Sequence, residues 1–353
     1  MIVLTNNTNT LNGALMELGE LLATNITTMG VTASASDGLT TLVGKVANIS
    51  TSGGGGNCYN AKFTESSYIT DWDFSTSKNV ATLKVYCQYQ YEASTTGTVS
   101  INGDGNTYSA SIGSDGYATA DVELTSSSAT FTVTYQGSTD TCTVTKRSFI
   151  FKDACSSNAN LSEYGSAISV YNTSISGTPT LAYDSTNNAY SINGTSTGDW
   201  VVLPISDLNG ENNFTFSIEM KINRSNSYPY FGFAVFPSES SLSSTYAELF
   251  YSYRYSSSNG IYTYAQRRRR TTSSTINSTS DSSFDSTQWF RLVVTFNSSN
   301  GVTARWEKLD GTEIKTVTTT VTASTSDRHY GLFLRGSSAS YKGYVRNIKA
   351  WSN

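Results

Sequence analysis

One histidine, His329, stands in the whole 353-residue chain. A zinc site built on several histidines, or a Ser-His-Asp triad, would have to rest on that residue alone, which disfavours most familiar enzyme chemistries. Charge is scarce too: 14% of residues are Asp, Glu, Lys or Arg, and the formal net charge is −4. A chain of that balance has no basic face for a phosphate backbone, so a nucleic-acid partner is disfavoured. Four prolines and four methionines leave little room for Pro-rich linkers or Met-lined grooves. No apolar run approaches the ~18 residues of a membrane span, so membrane insertion is not expected. The opening MIVLTNNTNT lacks a basic region and an unbroken apolar stretch, and does not read as a secretory signal.

What is abundant is Ser and Thr, together roughly 30% of the chain, alongside 23 Tyr, 15 Phe and 27 Gly. Aromatic content supplies ordering power, and weak charge argues against disorder by self-repulsion. The length suits two or three domains and excludes a disulfide-stapled miniprotein. The composition is that of a mainly β protein working outside a cell, yet the start predicts synthesis in the cytoplasm without a signal peptide. That combination points to a virion component.

Leu11, Leu15, Leu18, Leu22, Ile26 and Met29 are spaced by four and three residues, which predicts a helix with a heptad-type stripe ending at Gly30. A second helix is expected from the Ser36-Asp37 cap, carrying Leu39, Leu42, Val43, Val46 and Ile49. Two short amphipathic helices need partners, either the next domain or further copies of the chain. Four glycines at 53–56 then mark a flexible joint.

From Cys58 the period becomes two. Leu83, Val85, Cys87, Tyr89 and Tyr91 alternate, as do Phe131, Val133 and Tyr135, with turns expected at Asn102-Gly103, Asp104-Gly105 and Asp115-Gly116. Later, Phe214, Phe216, Ile218, Met220 and Ile222 alternate, and so do Phe290, Leu292, Val294 and Phe296. Further strands are expected at Val302-Ala304-Trp306, Tyr330-Leu332-Leu334 and Tyr344 to Trp351.

The stretch GSDGYATADVEL followed by ATFTVTYQGSTDTCTVT resembles the closing strands of bacterial and archaeal Ig-like repeats, whose modules are usually spacers. NFTFSIEMKI, then QWFRLVVTFNSSNGVTARWEKLDGTEI, then HYGLFLRGSSASYKGYVRNIKAW resembles the concanavalin A-like and laminin-G jelly-roll family, with Gly343, Val345, Ile348 and Trp351 matching its closing strand. The N-terminal text LNGALMELGELLATNITTMGVTASASDGLTTLVGKVANI is similar to the opening of tail-fibre and baseplate-associated proteins of tailed viruses.

The resemblances imply a helical docking and oligomerisation segment at 1–50, a Gly-rich linker at 51–56, an Ig-like β-sandwich at 57–147 and a concanavalin A-like jelly roll at 148–353. They imply a homotrimeric tail-fibre or receptor-binding protein of a virion tail, attached to other tail or baseplate proteins. Such a protein would bind a host surface glycan through its C-terminal lectin-like sandwich. A ligandless decoration protein and an envelope-glycan depolymerase are the alternatives.

Within the last segment, Leu249 to Tyr255 and Gly260 to Tyr264 followed by Arg267 to Arg270 concentrate tyrosine and arginine in one expected hairpin. Tyr offers a flat apolar face for a pyranose ring and Arg a planar donor fork for hydroxyls or carboxylates. Arg254, Tyr262, Tyr264, Arg268 and Arg270 are the candidate ligand-binding residues. The competing reading makes the tyrosines cross-strand packing pairs and the arginines a solvated edge that blocks strand addition.

No E-x-D-x-x-E run places two carboxylates as a retaining glycosidase on this fold needs, so no catalytic residue is assigned and the chain is not expected to be an enzyme. No cofactor is expected. Calcium is common in lectin relatives, and Asp199, Asp207 and Asp285 are available, but no loop gathers several acidic residues and no ligand is assigned. Of the four cysteines, Cys87 with Cys142 and Cys58 with Cys155 make geometrically sensible pairs, while synthesis in a reducing cytosol argues against early bridging, so bonds and free buried thiols both stay open.

Overall fold

The structure is a computed structural model that describes residues 16–27, 33–34, 36–37, 41–42, 45, 59–89, 92–170, 180–193, 200–222, 230–237, 248–257, 260–269, 275–281, 285, 287–321, 328–335 and 343–353. The chain divides into two compact units, Met1–Lys146 and Arg147–Asn353. Strands dominate both, and the protein is mainly β with a short N-terminal helical segment.

Residues 16–27 are helical, as are residues 41, 42 and 45. The buried face keeps Leu22 and Ile26 of the expected stripe and Leu42 of the second helix, but not Leu18. Ala23 and Ile26 pack with Leu42, Leu22 is partly buried against them, and a Cβ on Gly19 would stand 3.9 Å from Leu42, whereas Leu18 is 51% exposed and Leu21, outside the stripe, 60%. Ala23 joins the contact in place of Leu18, since a small side chain allows a close approach. The glycine run at 53–56, Cys58, and the helix positions Leu11, Leu15, Met29, Leu39, Val43, Val46 and Ile49 lie outside the described residues.

The rest of the first unit is a sandwich of two five-stranded sheets. One is built around Lys78–Tyr89, paired with Tyr59–Phe63 and Tyr117–Glu123; the other has Ser138–Thr145, Ser128–Tyr135, Thr98–Gly103 and Asn106–Ser111 side by side. Leu83, Val85 and Cys87 from the first meet Val99, Ile101, Phe131 and Val133 from the second in one core. Asp104-Gly105 forms the hairpin turn, with φ of 47° and 79°. Asn102-Gly103 is not a turn: it lies in a strand, and Gly103 is there because a Cβ would come 2.4 Å from the Phe131 ring.

Cys87 and Cys142 are buried free thiols, as is Cys155, so the 87–142 bridge is not formed. Burial pushes the Cys87 thiol up to about 11 and that of Cys142 to about 12, with Asp140 adding to the latter.

The second unit is a larger sandwich. Its eight-stranded sheet runs in the order Thr180–Asp184, Ala189–Asn193, Gly343–Ser352, Phe214–Ile222, Phe290–Phe296, Gly301–Lys308, Glu313–Thr320, with Phe149–Asp153 also paired to Gly343–Ser352. The seven-stranded sheet runs Ile168–Ser169, Trp200–Pro204, His329–Arg335, Tyr230–Phe236, Glu248–Ser257, Gly260–Arg269, Thr275–Asp281. Phe214, Phe216, Ile218 and Met220 face Phe231, Phe233, Tyr330 and Leu332 between them, and Phe216 stacks on Phe233 at 4.0 Å. Each such buried side chain is worth ~1.5–3 kcal/mol of transfer free energy.

The closing strand carries a bulge. Asn347 has φ of 50° and the pairing with Phe214–Ile222 slips there, which lets Val345 and Ile348 both reach the core despite being three residues apart. Trp351, at the end of this strand, is half-buried, pairs opposite Thr215, and carries Arg147 at 4.5 Å over its ring. The Ser352 amide donates to the Ser148 carbonyl at 3.1 Å, so the unit's first and last strands leave side by side.

Candidate functional site

The tyrosine- and arginine-rich segment does form a hairpin, Glu248–Ser257 with Gly260–Arg269, closed at Ser257 opposite Gly260. Alternation along it sorts the residues. Phe250 and Ala265 belong to the core between the sheets, so Leu249, Tyr251 and Tyr253 stand on the sheet's other face. The register sets Tyr264 opposite Tyr253, Tyr262 opposite Tyr255 and Arg268 opposite Leu249, which puts those three positions on that outer face. Arg254, opposite Thr263, occupies a position on the inner face and is not brought together with them. The side chains of Arg254, Tyr262, Tyr264 and Arg268, and Arg270 altogether, lie outside the described residues.

Two expectations about the arginines are corrected. Gly260–Arg269 is not an edge strand, because Thr275–Asp281 pairs along its free side. Nor is Arg267 solvated: it is 5% exposed and forks onto Glu248, which is 0% exposed, through Nε–Oε2 at 2.9 Å and Nη2–Oε1 at 3.0 Å. This bidentate pair sits on the core side and ties the two strands together.

Strands distant in sequence complete the outer face. Trp200 pairs opposite Arg335, and Arg335 opposite Tyr230. The Arg335 guanidinium lies 5.1 Å from the Trp200 ring centre and 4.9 Å from that of Tyr230. Tyr230 continues to Tyr253 at 4.5 Å and stacks on Tyr251 at 5.3 Å, while Phe333 closes against Trp200 at 5.4 Å. A row thus crosses four strands in the order Trp200, Arg335, Tyr230, Tyr253, and the register extends it to position 264. Trp200, Tyr230, Tyr251 and Phe333 are buried; Arg335 and Tyr253 are the half-exposed members. A guanidinium held between two rings has its orientation fixed by them.

Glycine at 232 permits a close backbone approach on this face. A Cβ on Gly232 would stand 1.8 Å from the Phe250 carbonyl oxygen and 2.6 Å from the Tyr251 Cα. Only glycine lets Tyr230–Phe236 lie so close to Glu248–Ser257.

Trp200, Tyr230, Phe333 and Arg335 were not among the sequence-derived candidates. Tyr230–Phe236 is apolar at every position, so alternation did not single out Tyr230, and nothing local pointed to Arg335.

The outer face of the eight-stranded sheet is charged instead. Arg346, Glu219, Arg291 and Glu307 pair in succession across four strands. Glu219 accepts from Arg346 Nε at 2.9 Å, from Asn347 Nδ2 at 3.0 Å and from Arg291 Nη2 at 3.3 Å. Arg291 Nη1 reaches Glu307 at 3.1 Å, and Arg305 lies 2.6 Å from the other Glu307 oxygen. Trp289 covers one end, with the Arg346 guanidinium 4.0 Å from its ring centre. Glu219 and Glu307 are therefore bridged through a single guanidinium.

Among the described residues, no group of three or more His, Cys, Asp or Glu stands where it could hold a metal ion. Asp207 lies in a short 3-10 turn, the Asp285 carboxylate accepts from Thr287, and Asp199 is outside the described residues.

No protein-family model matches the chain, and no curated protein matches it in sequence. Solved structures do. A Bacillus subtilis protein with a galectin-like fold shares 8% identity over 58% of this chain and 96% of its own, with a TM-score of 0.37. The CBM2 module of the evolved Dit protein of Lactobacillus casei BL23 phage J-1 shares 12% identity over 54% of this chain and 96% of its own, with a TM-score of 0.36. The Emp46p carbohydrate recognition domain shares 12% over 58% of this chain and 98% of its own, with a TM-score of 0.40. At such identities and scores, what those proteins bind remains a property of those proteins.

Proposed function

We propose that the chain is an attachment protein, a tail-fibre or receptor-binding protein of a tailed virus, whose second unit holds a host surface glycan on the outer face of its seven-stranded sheet. The observation that carries this reading is Arg335 clamped between Trp200 and Tyr230, with Tyr253 beside it. Two half-exposed groups, the Arg335 guanidinium and the Tyr253 ring beside it, bring together directed donors and ring surface, the two things a sugar needs.

The reading is non-catalytic and needs no cofactor; it is supported by the Arg291 bridge between Glu219 and Glu307, which occupies both carboxylates with guanidinium partners. It is also trimeric and extracellular in action. Met16, Leu18 and Leu21, all more than half exposed on the helix at 16–27, supply apolar surface for association with further copies or with other tail proteins. Weak individual sites would gain useful attachment by avidity.

The test uses the full chain on an array of bacterial surface glycans. Arg335→Ala and Tyr253→Ala are each expected to weaken binding roughly tenfold, the scale of one lost hot-spot contact. Unchanged glycan binding by both variants would refute the assignment of this face.

A further inference from the structure

The first unit carries a cleft of its own. Tyr59 and Tyr89 pair across neighbouring strands with ring centres 4.7 Å apart, and Tyr135 meets Tyr59 edge-on at 5.1 Å. Together with the segment 92–97 they line a cavity of about 340 Å³ at one end of the sandwich. Tyr135 is buried, and its hydroxyl is fixed by Ser94 Oγ and the Thr96 carbonyl, each at 3.3 Å. Tyr59 and Tyr89 are half-exposed, so part of their ring surface faces the cavity. Gln136, in the left-handed region at φ of 48°, closes one side, and Glu92 and Thr95 stand exposed on the other.

The lining decides the ligand class. Among the described residues that line it there is no Lys, Arg or His, so they offer a phosphate, sulfate or acidic sugar no countercharge. Apart from the tyrosine rings, Ala93 and Gly97, the lining is hydroxyl, amide and carboxylate, which leaves a lipid-like ligand facing polar walls. Rings for an apolar face, with acceptors and donors around them, match a neutral pyranose, and the volume falls in the ~300–1,000 Å³ range of small-molecule sites.

We infer that the Ig-like unit is a second sugar-binding module, taking a neutral pyranose on Tyr59 and Tyr89 with Glu92, Thr95 and Gln136 engaging its hydroxyls. A spacer role alone does not require a polar aromatic cleft. The site is independent of the one proposed on the second unit.

The experiment is saturation-transfer NMR on the full chain with the methyl glycosides of glucose, galactose and mannose. Three variants are compared with the wild type: Tyr89→Ala, which removes a ring; Thr95→Trp, which fills the mouth from an exposed position; and Arg335→Ala. At least one glycoside should show transfer in the wild type and in Arg335→Ala, with a fall of fivefold or more in both cleft variants. Equal transfer in Thr95→Trp and wild type, loss of transfer in Arg335→Ala alone, or no transfer to any of the three glycosides in the wild type would overturn the inference. Thr95→Trp keeps the test decisive if Tyr89→Ala loosens the unit.

Discussion

Glu248 and Arg267 offer the sharpest test of how the tyrosine-rich hairpin is held. Their bidentate pair lies on the core side of the sheet, with 0% and 5% of the residues exposed. Taking both ions from water costs several kcal/mol each, and the pair's attraction offsets this only while both partners are present. Removing one strands the other in the interior. Arg267→Met or Glu248→Leu alone should therefore destabilise the second unit by about 3–5 kcal/mol. The double variant should recover most of that loss, because an apolar pair carries no desolvation cost; a result anywhere from neutral to ~1–4 kcal/mol more stable than wild type fits. Urea unfolding followed by near-UV circular dichroism reads this out, with Trp200 and Trp306 reporting on the second unit. Single variants within ~0.5 kcal/mol of wild type, or a double variant as damaged as the worse single, would show that the pair is not energetically buried.

Other consequences are cheaper to check. Gly232→Ala should cost at least ~2 kcal/mol of second-unit stability in the same assay, since its Cβ meets backbone 1.8 Å away rather than a side chain that can rotate; a loss below ~0.5 kcal/mol would contradict that close approach. Cys87 and Cys142, raised to about 11 and 12, should resist a thiol-specific reagent at pH 8 in the folded chain and react promptly in denaturant; prompt labelling of the native protein would contradict their burial. Asp104 accepts from the Thr125 amide and hydroxyl and from the Ser126 amide, which holds its carboxyl down at about 2. A depressed carboxyl contributes stability above its unfolded value of ~3.9 that disappears as pH falls through the folded value. Asp104→Asn should thus differ from wild type in melting temperature above about pH 4 and converge with it toward pH 2; parallel profiles from pH 5 to 2 would rule this out.

Much of the fold was legible because the apolar residues of its central strands recur every second position. Phe290 to Phe296 alternate in sequence and in burial alike; Phe214 to Ile222 alternate in sequence, and their apolar side chains face the core, although Thr215, Ser217 and Glu219 on the other side are buried as well. The Tyr230–Phe236 strand is buried at every position, so alternation could not say which side faced the core. In the helical segment Leu22, Ile26 and Leu42 pack as the stripe predicts, while Leu18 does not, because the small Ala23 takes part in the contact. The hairpin of Tyr and Arg was legible as a hairpin. Its completion was not, because Trp200, Tyr230 and Arg335 are brought together by a strand order that no local pattern encodes. The same holds for Glu219, whose partners Arg291 and Arg346 are far away in sequence and adjacent only in register. Glu248 and Arg267 stayed hidden because their contact is diagonal rather than directly opposite.

The hydrogen bond between Ser148 and Ser352 has a bearing on modularity. A sandwich whose entry and exit strands are neighbours occupies almost no span along a host chain, so it can be spliced into a surface loop without prising that loop open. The second unit is therefore shaped as a transferable cassette: grafted through residues 148 and 352, it should bring its aromatic row and its charged row with it, whichever scaffold receives them.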